Sequence, residues 1–355
     1  MSLFSLDLSR LLDAAGWALV HSLWQGALVA AAYACFAALA ARARANLRYA
    51  GGVAALALLL ALPVFTVCVA SRTPRGPSAR GEAASEGARA DSARAGAGAT
   101  RAGDESATRA AREFAAADVA AHAMNVRVWA EERLPALLPW LVYAWLAGVV
   151  LLGSRMAGAW LLVLRLRRGA RPAPERFEEL LAGAAARLGV SRAVRLCQSA
   201  LVEAPTVVGH LKPLILVPAG ALVGLTPRQL EAVLAHELAH VRRWDYAVNL
   251  LQTAAETLLF YHPAAWWLGG RVRAEREHAC DDAAVEATGD VLLYARALAA
   301  LEHLRAAHAP PAASLALAAN GGSLVRRIQR LVNAERRARP QARRPAAAAA
   351  ATALL

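Results

Sequence analysis

The apolar positions of this chain fall into two regimes. Three long, nearly unbroken apolar runs occupy residues 14–40, 51–70 and 137–164. A helix needs about 20 residues to cross the hydrocarbon core of a bilayer, so the pattern predicts three transmembrane helices, the first two paired within residues 1–70. The third run, placed within 136–164, contains Arg155, which must pair, snorkel or line a cavity if that helix spans. Residues 71–135 carry few large apolar side chains and much Ala, Arg, Gly, Ser and Glu; they read as a disordered loop with helical character near 106–123. From about residue 171 to 339 the pattern becomes that of a mixed soluble domain. Helical periodicity covers 174–188, and 194–197 reads as a short strand. Residues 206–208 and 214–217 are aliphatic or β-branched runs on either side of a turn, which predicts a hairpin. Thr226-Pro227-Arg228-Gln229 then opens a helix that runs to Arg243, with Thr as N-cap, Pro at the first helical position and Gln three residues after the cap. Further helices fit 246–259, 264–287, 291–307 and 324–337. The fold class expected is a mainly α membrane protein, with three transmembrane helices and an α+β domain holding a small β-hairpin or sheet. Residues 340–355 form a tail whose apolar run from Pro345 is either interfacial or the start of a fourth span.

Charge decides the orientation. The short link after the first run carries Arg42, Arg44 and Arg48, and the segment after the third carries Arg165, Arg167, Arg168 and Arg171. Arginines flank spans on the cytoplasmic side, so the N-terminus and the 71–135 loop are expected outside and the mixed domain in the cytoplasm. The net charge of +13 rests on 40 basic residues of which only Lys212 is a lysine. No interleaved aromatics or reading motif accompany it, so direct nucleic-acid binding is not expected. Cys35, Cys68, Cys197 and Cys280 have no regular spacing, so neither a disulfide framework nor a thiolate zinc site is indicated.

Candidate chemistry lies in the helix that begins at Thr226. It contains His236-Glu237-Leu238-Ala239-His240. Residues i and i+4 share a helical face, so both imidazoles can reach one Zn2+ ion, while Glu237 at the edge of that face can act on a water as general base. A catalytic zinc takes a third protein ligand; His262, Glu275, Glu277, His278, Asp281 and Asp282 are the candidates downstream. Glu277 and Asp281, four residues apart, can divide the work, one on the metal and one on a histidine ring. Asp245 and Asn249, one turn apart, can order the active-site helix or contact substrate. Tyr261 and His262 can donate to an oxyanion or simply end a helix at His262-Pro263, the simpler reading.

The ordered set of motifs resembles the BlaR/MecR-type membrane zinc metallopeptidases, antirepressor-type proteins of the bacterial inner membrane with a gluzincin-like HExxH. The match runs through His21-Ser22-Leu23-Trp24-Gln25-Gly26, Arg48-Tyr49, Ala204-Pro205-Thr206-Val207-Val208-Gly209 and Lys212-Pro213-Leu214. It continues through His236 to Asp245 with Asn249, then Phe260-Tyr261-His262-Pro263 and Glu277-His278-Ala279-Cys280-Asp281. The resemblance implies a zincin-like cytoplasmic peptidase domain over 171–339. In it His236, His240 and Glu277 bind zinc, Glu237 is the catalytic base and Asp281 the acid behind the metal ligands. It also implies signal transduction by cleavage of a protein substrate such as a cytoplasmic repressor, in a protein held in the lipid bilayer and compatible with a homodimer. The alternative from another class is a non-proteolytic receptor or scaffold that retains the zinc site. No segment resembles the penicillin-binding sensor of the family's best-known members.

The stretch 246–268 is apolar enough to suggest another span. Yet His240 and Glu277 are only 277 − 240 = 37 residues apart, too few for the about 40 apolar residues of two crossings. One crossing would put the two ligands on opposite sides. The expectation is a helix buried in the domain or lying along the interface.

Overall fold

The computed structural model describes residues 8–72, 105–209, 212–308 and 324–335. The expected tail over 340–355 and the centre of the 206–217 turn, residues 210 and 211, lie outside them. Three helices are long and apolar enough to cross a membrane among the described residues. They are α1 (Leu8–Leu39), α2 (Ala45–Arg72) and α3 (Glu105–Arg168), whose span-length parts are Arg10–Leu39, Ala45–Ser71 and Ala136–Arg168. Helix α3 starts at Glu105, so residues 105–135 of the segment expected to be disordered are helical. The cause is local: that stretch is rich in Ala, Arg and Glu, strong helix formers, and has no Gly or Pro before Pro135. A lack of large apolar residues argued against a packed core there, not against a helix.

The chain divides into two compact units, Met1–Trp24 with Ala61–Ala147, and Gln25–Leu60 with Gly148–Leu355. In the first, Gly16 packs directly on Leu138, and Ala14, Ala18 and Val142 are buried. The second holds the rest of the membrane hairpin and the mixed domain.

That domain is built on a four-stranded sheet of β1 (Arg171–Pro172), β2 (Arg195–Gln198), β3 (Thr206–Val208) and β4 (Leu214–Val217), in the order β1-β2-β4-β3. Strands β3 and β4 form the expected antiparallel hairpin, and β4 also pairs in parallel with β2. Side chains alternate across a strand. Leu196, Ile215 and Val217 therefore face one core with Phe177, Leu181, Ala184 and Leu188 of α4 (Glu175–Leu188), while Cys197, Leu214 and Leu216 face Val163 and Leu166 of α3. Beyond the sheet come α5 (Ala219–Gly224), α6 (Pro227–Arg242), α7 (Asp245–Leu258), α8 (Pro263–Thr288), α9 (Val291–His308) and α10 (324–335). Helix α6 is the axle of this unit. Leu234, Ala235, Leu238 and Ala239 are wholly buried, which fits a helix apolar nearly all round. The stretch 246–268 is two helices, broken at 259–262, rather than one span.

Candidate metal centre

The start of α6 is fixed by its first four residues. Gln229 N–H donates to Thr226 Oγ1 at 3.3 Å and Thr226 N–H to Gln229 Oε1 at 3.0 Å, a reciprocal cap with Pro227 just inside. From that start, two and a half turns later, His236 and His240 emerge on one face with their rings edge to face and Nε2 atoms 3.3 Å apart. Glu277 arrives from α8, one carboxylate oxygen 3.6 Å from His236 Nε2 and the other 3.9 Å from His240 Nε2.

The far sides of both rings set their tautomers. Helix α6 ends at Arg243, and Trp244, with φ of 59°, turns the chain in the left-handed region, the one non-glycine residue to do so among those described. This sharp turn brings Asp245 back under the helix just left, where its Oδ2 lies 2.8 Å from His240 Nδ1. Its Oδ1 accepts from the Tyr49 hydroxyl at 2.7 Å. Burial would raise the Asp245 pKa, but the hydrogen bonds from His240 and Tyr49 lower it. An ionised carboxylate can only accept, so His240 carries a proton on Nδ1, which leaves Nε2 as the nitrogen that can take a metal. The same logic holds for His236. The buried Tyr294 hydroxyl donates to Asp281 Oδ1 at 2.7 Å and therefore accepts from His236 Nδ1 at 2.9 Å. Asp281 is itself held by Arg327 Nε at 3.0 Å, and its pKa is lowered against burial mainly by that guanidinium.

Two imidazole nitrogens and a carboxylate thus converge, a donor set that a cation can bridge. Burial opposes charge on His240, but its hydrogen bonds to Asp245 and Cys280 hold its pKa well above the usual histidine range, so a proton competes with a metal there. Glu277 is held low despite burial, by the neighbouring His236, His240 and Arg327. Glu237, beside them, is pushed the other way, because its burial outweighs the pull of the two histidines. A second group, His240, Asp245 and Cys280, also has its ligand atoms close enough for a metal. It is closed, with Cys280 wholly buried, whereas Glu277 is about a third exposed, 32%, on a cleft of about 510 Å3.

The other sequence candidates lie elsewhere. Glu275 takes the Arg48 guanidinium at 2.9 Å, His278 lies 3.7 Å from Glu275, and Asp282 pairs with Arg330 at 2.7 Å. His262 caps α8, its ring accepting from Ala264 N–H at 3.0 Å, which is the helix-ending reading. Asn249 lines the cleft. The sequence reading missed Tyr294 and Arg327, and named Tyr49 only in the Arg48-Tyr49 motif, with no role. They are 58, 46 and 196 residues from the groups they touch, so no spacing rule marks them.

A family model described as BlaR1 peptidase M56 matches residues 27–331. The chain belongs to that family. The family is, by that description, one of peptidases. Two curated relatives share shorter segments with this M56 chain. The Regulatory protein BlaR1 of Bacillus licheniformis is 28% identical over 93 residues, 26% of this chain and 15% of that protein. The Protease HtpX homolog 2 of Methanosarcina acetivorans is 46% identical over 50 residues, 14% of this chain and 17% of its own. The chain thus spans less than a fifth of either relative in these matches.

Proposed function

We propose that this M56 protein is a zinc endopeptidase of the bacterial inner membrane whose active site faces the cytoplasm and which cuts a regulatory protein, such as a transcriptional repressor, in signal transduction. The observation that carries the reading is the convergence of the Nε2 atoms of His236 and His240, 3.3 Å apart, with the carboxylate of Glu277 beside them. A zinc ion held by these three residues would supply Lewis acidity toward the scissile carbonyl and the attacking water. Glu237 takes the proton of that water and passes it to the departing amine nitrogen. Its raised pKa suits a group that must hold the proton between the two steps. Asp245 and the Tyr294–Asp281 pair keep both rings turned inward.

Among the described residues strand β3 is bonded on one side only, to β4, and Thr206 and Val207 line the cleft. Its free edge offers main-chain hydrogen bonds to an extended peptide. The arginines after α1 and α3 support a cytoplasmic domain with N-terminus and 71–135 segment outside. A regulatory role for one relative and a protease role for the other, by their printed names, are in keeping with this reading.

The test is the Glu237→Gln variant in nanodiscs, with zinc content and cleavage of casein or a candidate repressor measured together. The variant should hold zinc as the wild type does and lose cleavage. Equal cleavage by the two proteins would remove Glu237 from the mechanism; zinc-loaded wild type without cleavage would point to a receptor or scaffold.

A further inference from the structure

The turn between α7 and α8 packs on the middle of the membrane helices. A Cβ placed on Gly26 of α1 would overlap the His262 ring and crowd Leu59 of α2 at 2.8 Å, and one on Gly148 of α3 would overlap the Phe260 ring. Nearer the ends of the helices, Trp267 lies edge-on to Tyr33 of α1, with ring centroids 5.9 Å apart. The other ends of α7 and α8 are tied to the start of α2, Asp245 by Tyr49 and Glu275 by Arg48. Arg48 also binds the Ala43 carbonyl in the α1–α2 turn at 2.7 Å.

Helix rise converts these contacts into depth. At about 1.5 Å per residue, Gly26 lies about 20 Å along α1 from Leu39, and Leu59 about 15 Å along α2 from Tyr49. Along the other pair, Leu258 lies about 20 Å from Asp245 and Pro263 about 18 Å from Glu275. All four lengths agree. The hydrocarbon core is about 30 Å thick, so the turn reaches the middle of the bilayer.

The surface of the two helices fits that depth. Outward they expose Leu250 (56%), Leu258 (38%), Trp266 (48%) and Trp267 (43%). Inward, polar groups of the two helices pair with one another. Gln252 donates to the Gly269 carbonyl at 3.0 Å and accepts from Arg276 at 3.2 Å, and Glu256 pairs with Arg273. Gly269 makes room for the Glu256 carboxylate, which a Cβ there would strike. In hydrocarbon every polar group must find a partner within the protein.

We infer that α7 and α8 form a re-entrant hairpin, inserted into the bilayer from the side of the α1–α2 turn with its tip near the midplane and its apolar face on lipid acyl chains. This replaces the expectation of a helix buried in the domain or lying along the interface. It reconciles a stretch apolar enough to span with two ligand-bearing ends on one side. It also sets Asp245 and Glu277 at the level where α2 leaves the membrane. The inference does not depend on the zinc reading.

The test is spin-label depth measurement on the full chain in phosphatidylcholine nanodiscs. Cys35 and Cys68, which are exposed, are replaced by Ala, and Cys197 and Cys280 are left because they are buried. Single labels are placed by Leu258→Cys, Trp266→Cys, Leu250→Cys and, as an aqueous reference, Leu201→Cys. The ratio of oxygen to nickel-chelate collisions should fall in the order 258, 266, 250, 201, with oxygen favoured at the first two. Two deep positions guard against one variant failing to fold. Any other order among the folded variants, or nickel access at the deep positions matching that at 201, overturns the hairpin.

Discussion

Replacing Asp245 by Asn isolates the part of the metal centre that binds no metal itself. The carboxylate is buried and joins two donors, His240 Nδ1–H at 2.8 Å and the Tyr49 hydroxyl at 2.7 Å. An amide keeps the shape but loses the charge, and its NH2 takes the place of one of the two accepting oxygens, so one donor is left without an acceptor. His240 becomes a poorer base and its ring loses an anchor. Losing such a partner typically costs 10- to 100-fold in metal affinity, and each factor of ten is about 1.4 kcal/mol. Asp245 makes a charge-assisted bond to one of two imidazole ligands, so the expected loss is about 30-fold, within that range. Tyr49→Phe removes a bond one step farther away, and a loss of about 3- to 10-fold is expected, since one neutral donor is worth about 0.5–1.5 kcal/mol. The assay is zinc competition with a chromogenic chelator on protein in nanodiscs, with circular dichroism as the check on folding. Because Tyr49 acts through Asp245, the double variant should bind no more weakly than Asp245→Asn alone. Wild-type affinity in folded Asp245→Asn, together with loss of zinc in His240→Ala, would refute the positioning role.

Zinc affinity should fall by about tenfold for each pH unit below the raised His240 pKa, because the metal must displace one proton from that ring; above that pKa no such proton is released. Calorimetry in buffers of different ionisation enthalpy reads the proton count directly. Asp281→Ala should destabilise the protein by about 3–5 kcal/mol by leaving Arg327 without its buried carboxylate, seen as a lower Tm in scanning fluorimetry. Tyr294→Phe should leave the ring packing intact yet weaken zinc by about 10-fold, since His236 then loses its Nδ1 acceptor. Unchanged affinity would mean that Asp281, 3.5 Å from that nitrogen, holds the ring alone.

What the sequence made legible was what neighbours in the chain decide. The cap at Thr226, the shared face of His236 and His240 and the hairpin at 206–217 each follow from residues within a few positions of one another. The three apolar runs announced their helices by length alone. The partners behind the histidines were not legible, because Tyr294, Arg327 and Tyr49 reach them from separate helices across tens to hundreds of residues. The parallel pairing of β2 with β4 was hidden for the same reason. Asp245 was noticed for its place one turn from Asn249, but its contact with His240 depends on the backbone turn at Trp244, which no propensity predicts for tryptophan. Around the helical character expected near 106–123, the rest of 105–135 misled in the opposite direction, since polar composition was read as disorder where alanine favours a helix.

The central claim is that His236, His240 and Glu277 share one zinc ion. Zinc K-edge X-ray absorption on the purified protein tests it most directly, because nitrogen and oxygen ligands lie at about 2.0–2.2 Å and sulfur at about 2.3 Å. One zinc per chain is predicted, with two imidazoles, oxygen donors and no sulfur, and with the metal lost in His240→Ala. A sulfur scatterer would place the ion on Cys280 with His240 and Asp245 instead, and contradict the account.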